Sequence, residues 1–210
     1  MNHDMLKIIL LLVLPSIFQL FTAGTSIGMG TAQEPTAIVL DDETGKPIEG
    51  AVAIAIWRKH SIKEAAWFEG GKMVPVRIEE VISDKEGKIY IDDFWDWHLN
   101  ASSYPRLTIY KPGYVCWDQK LIYISEFKSE RRQDFDKKTR IVRMKQWPEE
   151  FSFNGHWRFM SHCTGYGDIH EAPNKLFLKS FNYERQYQIK EDNIIYKQKK
   201  DMMERKRRKK

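Results

Sequence analysis

The side chains that could do chemistry gather late in the chain, where His156, His162, Cys163, Asp168, His170 and Glu171 fall within one short stretch. Imidazole and thiolate together suit zinc, and carboxylates complete such ligand sets. The intervals here match no short-range ligand pattern, and helix-capping and loop roles account for most of these residues. No metal or other cofactor is therefore expected, with His156, His162 and His170 the ligands to watch. A metal-binding protein or small metal-dependent enzyme built on residues 156–171 is the alternative function.

Aromatic residues form the second group. Trp67 and Phe68 stand in one connection, and Phe94, Trp95 and Trp97 in another, with Asp92, Asp93 and Asp96 close by. Exposed rings on loops stack on sugar faces, and the aspartates could bond hydroxyls or a calcium ion. Trp67, Phe94, Trp95 and Trp97 are accordingly the expected binding residues. The competing expectation is that the rings close the ends of a β-sandwich or pack beneath helices, since tryptophan is highly buried on average. The acidic run Asp41-Asp42-Glu43 reads as a solvated turn.

The elements that must carry these groups are short strands followed by helices. Residues 36–58 suggest a β-hairpin, with apolar runs at 37–40 and 51–57 around a turn holding Gly45, Pro47 and Gly50. Val52, Ile54 and Ile56 alternate with Ala51, Ala53 and Ala55, which predicts a strand packed on one face and closely approached on the other. Further strands are expected at 76–82, 88–91, 107–110, 114–123 and 139–144, with a Ser-Asp-x-x-Gly hairpin turn at 83–87 and a Pro-Gly turn at 112–113. That makes seven strands, a sandwich count. After Pro148 the pattern turns helical, is broken at 164–167, and resumes near Ala172-Pro173. Leu176, Ser180, Tyr183 and Tyr187 are its expected stripe, with Phe177 and Phe181 beside them.

Charge is unevenly spread. The net charge is +5, but residues 197–210 hold nine Lys/Arg against Asp201 and Glu204, so the rest is slightly acidic. A nucleic-acid domain carries its charge in the folded body, which makes that partner class unexpected. The tail is expected to be disordered and able to touch an anionic surface. Near the N-terminus, Lys7 precedes an apolar run at 8–21 and small residues to Ala32, the pattern of a secretory signal peptide or N-terminal anchor. Export would allow a disulfide between Cys116 and Cys163; two separately buried thiols are the other reading.

Three segments, VLDDETGKPIEGAVAIAIWR, SDKEGKIYI and PRLTIYKPGYVCW, resemble the opening strand pair, the turn and the K-x-G-Y loop of the carboxypeptidase regulatory-like domain. The resemblance covers residues 36–144 and implies a mainly β fold, a transthyretin-like, seven-stranded Greek-key sandwich common in exported bacterial proteins. Here that sandwich would be followed by a C-terminal helical hairpin. It implies no activity: no His is followed by Glu at the third position, as a metallocarboxypeptidase requires, and the Tyr-Arg-Gly-Ser ending of hydroxyisourate hydrolases is missing.

The resulting expectation is a signal peptide or anchor at 1–32, a sandwich at 34–146, a helical extension at 147–196 and a disordered basic tail at 197–210. The protein would be periplasmic or extracellular. It would act as a non-enzymatic interaction module for protein or polysaccharide of the cell envelope, or as a structural accessory subunit.

Overall fold

A computed structural model describes residues 34–60, 73–92, 94 and 105–208. Strand β2, Val52–His60, organises them. Its Ala51–Ala53–Ala55–Trp57 face and its Val52–Ile54–Ile56 face are both buried, so the alternation of small and branched residues separates two cores rather than core from solvent. The strand lies inside a four-stranded sheet, between β3 (Met73–Ile82) and β5 (Arg106–Tyr110), with β6 (Trp117–Asp118) beyond β5.

The alanine face looks onto a second sheet, in which β1 (Ala37–Asp41) sits between β4 (Lys88–Ile89) and β9 (Ile141–Met144). Pairing of β1 with β4 is antiparallel and with β9 parallel. Small side chains on β2 let the second sheet approach, and Trp57, Leu107, Ile109, Val142 and Met144 fill the space between. The hairpins expected at 36–58 and 76–91 are therefore both crossings between sheets: β1 and β2 belong to different sheets, with Leu40 bridging to Pro47 in the connection, and so do β3 and β4. Two apolar runs around a turn do not say which neighbour each run will choose.

The expected strand 114–123 is divided. Asp118 accepts the N–H groups of Lys120 and Leu121, turning the chain out of the four-stranded sheet into β7 (Leu121–Ser125). That strand pairs with β8 (Lys128–Arg131) in a two-stranded ribbon, between the expected strands 114–123 and 139–144.

Helices cover the other face of the four-stranded sheet. They are α1 (Phe153–Thr164), α2 (Tyr166–Glu171) and α3 (Leu176–Arg208). Ser152 caps α1 by accepting from the Gly155 N–H, and α1 ends at Gly165, whose φ of 74° suits a residue without a Cβ. Val52, Ile54, Ile56, Tyr110, Phe159, Met160, Ile169, Phe177 and Phe181 form this second core. Helix and strand thus take similar shares of the described residues, so the fold is less dominated by β structure than the sequence pattern implied.

Two long-range contacts fix the helical layer. Glu80 of β3 caps α3: its carboxylate accepts from the N–H groups of Asn174 (3.1 Å), Leu176 (3.2 Å) and Phe177 (2.8 Å). An acid at a helix N-terminus satisfies otherwise orphaned donors and complements the helix dipole. Gly155 lets α1 lie directly on the β7–β8 turn, because a Cβ there would stand 2.4 Å from Glu126 Cα. Arg58 adds a tie by donating through Nε to Asp168 (3.1 Å) and through Nη2 to the Thr164 carbonyl (2.6 Å).

Helix α3 departs from expectation twice. Its buried stripe is Phe177, Phe181 and Glu184, while Tyr183 points outward. The basic tail is also not a separate disordered end: the helix runs unbroken to Arg208. Contacts from α1 reach Glu191 and Asp192, through the Asn154 backbone N–H and side chain. Residues 193–208 extend past that point by about 24 Å at 1.5 Å per residue.

Candidate functional site

The structure disperses the cluster of potential metal ligands. Asp168 is held by Arg58, Cys163 is buried in the second core, and His162 and His170 lie at the surface. Among the described residues no three His, Cys, Asp or Glu side chains come together as a metal site. Cys116 and Cys163 are free buried thiols rather than a disulfide, and burial raises both thiols above their ordinary range. Phe94, expected to bind ligand, is instead a core residue, 3% exposed and edge-on to Trp57 at 6.1 Å. Trp67, Trp95 and Trp97 lie outside the described residues, as does the stretch 1–32 expected to be a signal peptide or anchor.

His156 is the member of the cluster with the most unusual surroundings. It is fully buried on α1. Its Nε2 accepts the Cys116 backbone N–H at 2.8 Å, which leaves the ring proton on Nδ1, directed at Glu184 Oε1 at 2.6 Å. Glu184 Oε2 accepts from the Tyr110 hydroxyl at 2.6 Å. Burial, reinforced by Glu184, pushes the Tyr110 phenol far above its usual range, so this hydroxyl remains a donor. The helices place the groups by spacing: His156, Phe159 and Met160 share the inner face of α1, while Phe177, Phe181 and Glu184 share that of α3. The result is a Glu184 carboxyl group, 3% exposed, met by an imidazole and a phenol.

A pocket of about 180 Å³ lies beside this network, lined by Tyr110, Tyr114, Trp147, Phe153, Tyr183, Glu184 and Tyr187 together with Gly113. Trp147 stacks on Phe153 at 4.6 Å, Phe153 on Tyr187 at 5.0 Å, and Tyr183 lies 5.1 Å from Tyr187 with their hydroxyls 2.8 Å apart. Sequence reasoning missed this site. The sequence pattern puts Tyr183 and Tyr187 on the packing stripe, whereas their four-residue spacing sets two rings side by side at its edge. Glu184 between them, an acid on a helix face otherwise lined by phenylalanine, was the available signal.

A second surface lies along α3. Ile189, Tyr196 and Met203 repeat every seven residues, so they share one side of the helix, and they are 47%, 71% and 61% exposed. Arg185, Lys200 and Arg207 each lie four residues from one of them on that same side. Among the described residues none of these three cations is in an ion pair. Asp192, the acid nearest the stripe, bonds Asn154 and Gln188. No family model, curated protein or solved structure matches the chain.

Proposed function

We propose that the protein is an exported, non-catalytic interaction module of the cell envelope that docks through α3 on an anionic lipid surface. The observation that carries this reading is the exposed Ile189–Tyr196–Met203 stripe interleaved with Arg185, Lys200 and Arg207. Apolar and aromatic side chains at the headgroup boundary, flanked by cations, are the composition of interfacial helices, and each Lys or Arg near an anionic leaflet contributes about 1 kcal/mol. Seven Lys/Arg within residues 197–208 oppose pairing of this helix with a second copy of itself.

The rest of the molecule supplies the platform, which we read as the seven-stranded Greek-key sandwich of the carboxypeptidase regulatory-like kind. Two facing sheets and the quoted sequence segments support that assignment, and the apolar run at 8–21 supports export. A catalytic reading on residues 156–171 would require freeing His156 from two hydrogen bonds inside a closed core.

Vesicle sedimentation tests the proposal. The protein is expected to pellet with phosphatidylglycerol-containing vesicles, to stay in solution with pure phosphatidylcholine, and to be released as salt shortens the screening length from about 10 Å at 0.1 M to about 3 Å at 1 M. Gln at positions 185, 200 and 207 should reduce binding at least tenfold while the far-ultraviolet helix signal is kept. Equal binding to neutral vesicles, or indifference to salt and to the triple variant, overturns it. Binding to a protein partner alone would instead make the molecule an accessory subunit.

A further inference from the structure

We infer that the furrow between β6 and β9 is a binding site for a small organic carboxylate. β6 ends one sheet of the sandwich and β9 ends the other. Two cavities of about 310 and 210 Å³ lie there, and Trp117, Arg132, Asp134 and Arg143 border both. The larger reaches the roughly 300 Å³ at which small-molecule pockets begin.

Arg132 is the anchor. Its side chain is 9% exposed, its guanidinium lies over the Trp117 ring at 4.7 Å, and its Nε donates to the Asp118 carbonyl at 2.7 Å. A guanidinium fixed in this way loses little freedom when a ligand binds. Asp134, 65% exposed, accepts from Nη1 at 2.9 and 3.0 Å. That leaves the two N–H groups of Nη2 without a protein acceptor among the described residues. Arg143 stands exposed on β9, and its side chain makes no ion pair or hydrogen bond among the described residues. Lys145 borders the smaller cavity.

Guanidinium donors match the geometry of carboxylate and phosphate alike, and charge decides between the two. Among the described residues lining the smaller cavity, Arg132, Arg143 and Lys145 face Asp42 and Asp134, an excess of one positive charge. A carboxylate neutralises that excess, whereas a phosphate monoester, at about −1.5 to −2 near pH 7, exceeds it. Val115, Ile122, Phe135 and Ile141 supply apolar wall, which selects an acid with a hydrocarbon or ring body. Arg185, Lys200 and Arg207 do not line either cavity, so this inference and the docking of α3 fail independently.

Calorimetric titration of the full chain with benzoate, and with benzamide as its neutral isostere, tests the inference. Benzoate is expected to bind and benzamide not to. Arg143→Gln should weaken benzoate binding at least about tenfold, and so should Arg132→Lys, which keeps the charge but not the fork. Arg143 makes no side-chain bond within the protein, so its variant stays informative if Arg132→Lys folds poorly. Gln at positions 185, 200 and 207 should leave benzoate binding unchanged. The inference is overturned if benzoate does not bind, if benzamide binds as tightly, if inorganic phosphate displaces benzoate at equal concentration, or if Arg143→Gln binds unchanged.

Discussion

The two faces of the four-stranded sheet are packed by different means. On the Ala51–Ala53–Ala55 side the sheets fit mainly by size, small residues on β2 against large ones on β5 and β9, and the buried hydroxyls of Thr36 and Ser83 bond only to backbone. On the Val52–Ile54–Ile56 side the core also encloses His156, Glu184, Tyr110 and two thiols. Shape alone tolerates sliding and repacking, whereas a bonded network admits one arrangement. The sheet-to-sheet core therefore supplies bulk stability, and the helix-to-sheet core fixes where the helices sit and what their pocket presents.

Four experiments bear on that contrast. Phe181→Ala and Leu107→Ala each empty a fully buried site, one per core, and should destabilise by about 3–5 and 2–5 kcal/mol in denaturant unfolding. If only one of them acts, the two cores do not unfold as a unit. Glu184→Ala strands two buried donors at about 1–3 kcal/mol each, and near-ultraviolet dichroism should show loosened aromatic packing, an effect with no counterpart in the apolar core. Glu80→Ala removes the cap of α3 and should cost about 1–2 kcal/mol, with faster amide exchange at Leu176 and Phe177. The smallest effect is a pH dependence.

That dependence has two limbs. Hydrogen bonds from Gln146, then Thr44 and Tyr114, hold the Asp41 carboxyl well below its ordinary range. Stability from this group is present above about pH 4 and is lost as pH falls below it, because the unfolded chain takes up the proton first. Asp41→Asn should flatten the acid limb of the stability curve. At the alkaline end, burial and then Glu126 push Tyr123 up to about 12. Its contribution persists below about pH 10 and falls between there and 12, which Tyr123→Phe should reduce.

Much of the scaffold was legible in the sequence, for identifiable reasons. The Val/Ile–Ala alternation of β2 marked a strand covered on both sides, and the breaks at Asp84–Gly87 and Pro112–Gly113 fell where the chain turns. Partners were not legible: the run 37–40 chose β4 and β9 over its sequence neighbour, a choice set by the second sheet as a whole. The candidate site shows the same limit. His156 was found by type, but its chemistry is set by a Cys116 N–H forty residues away, and Glu80 reads as an ordinary strand acid until α3 is placed on it. The tail was misread because a helix dense in cations resembles a solvated coil in composition, and only its continuity with Phe177 and Phe181 distinguishes the two.

The Glu80 cap also constrains the order of assembly. A helix whose first-turn donors are satisfied from a strand almost a hundred residues earlier cannot complete that turn until the strand is in place. Nucleation is the costly step in helix formation, so a borrowed cap defers it. In a folding-rate analysis, substitutions at Glu80 should mainly accelerate unfolding, with φ-values near zero, while those in β2 slow folding.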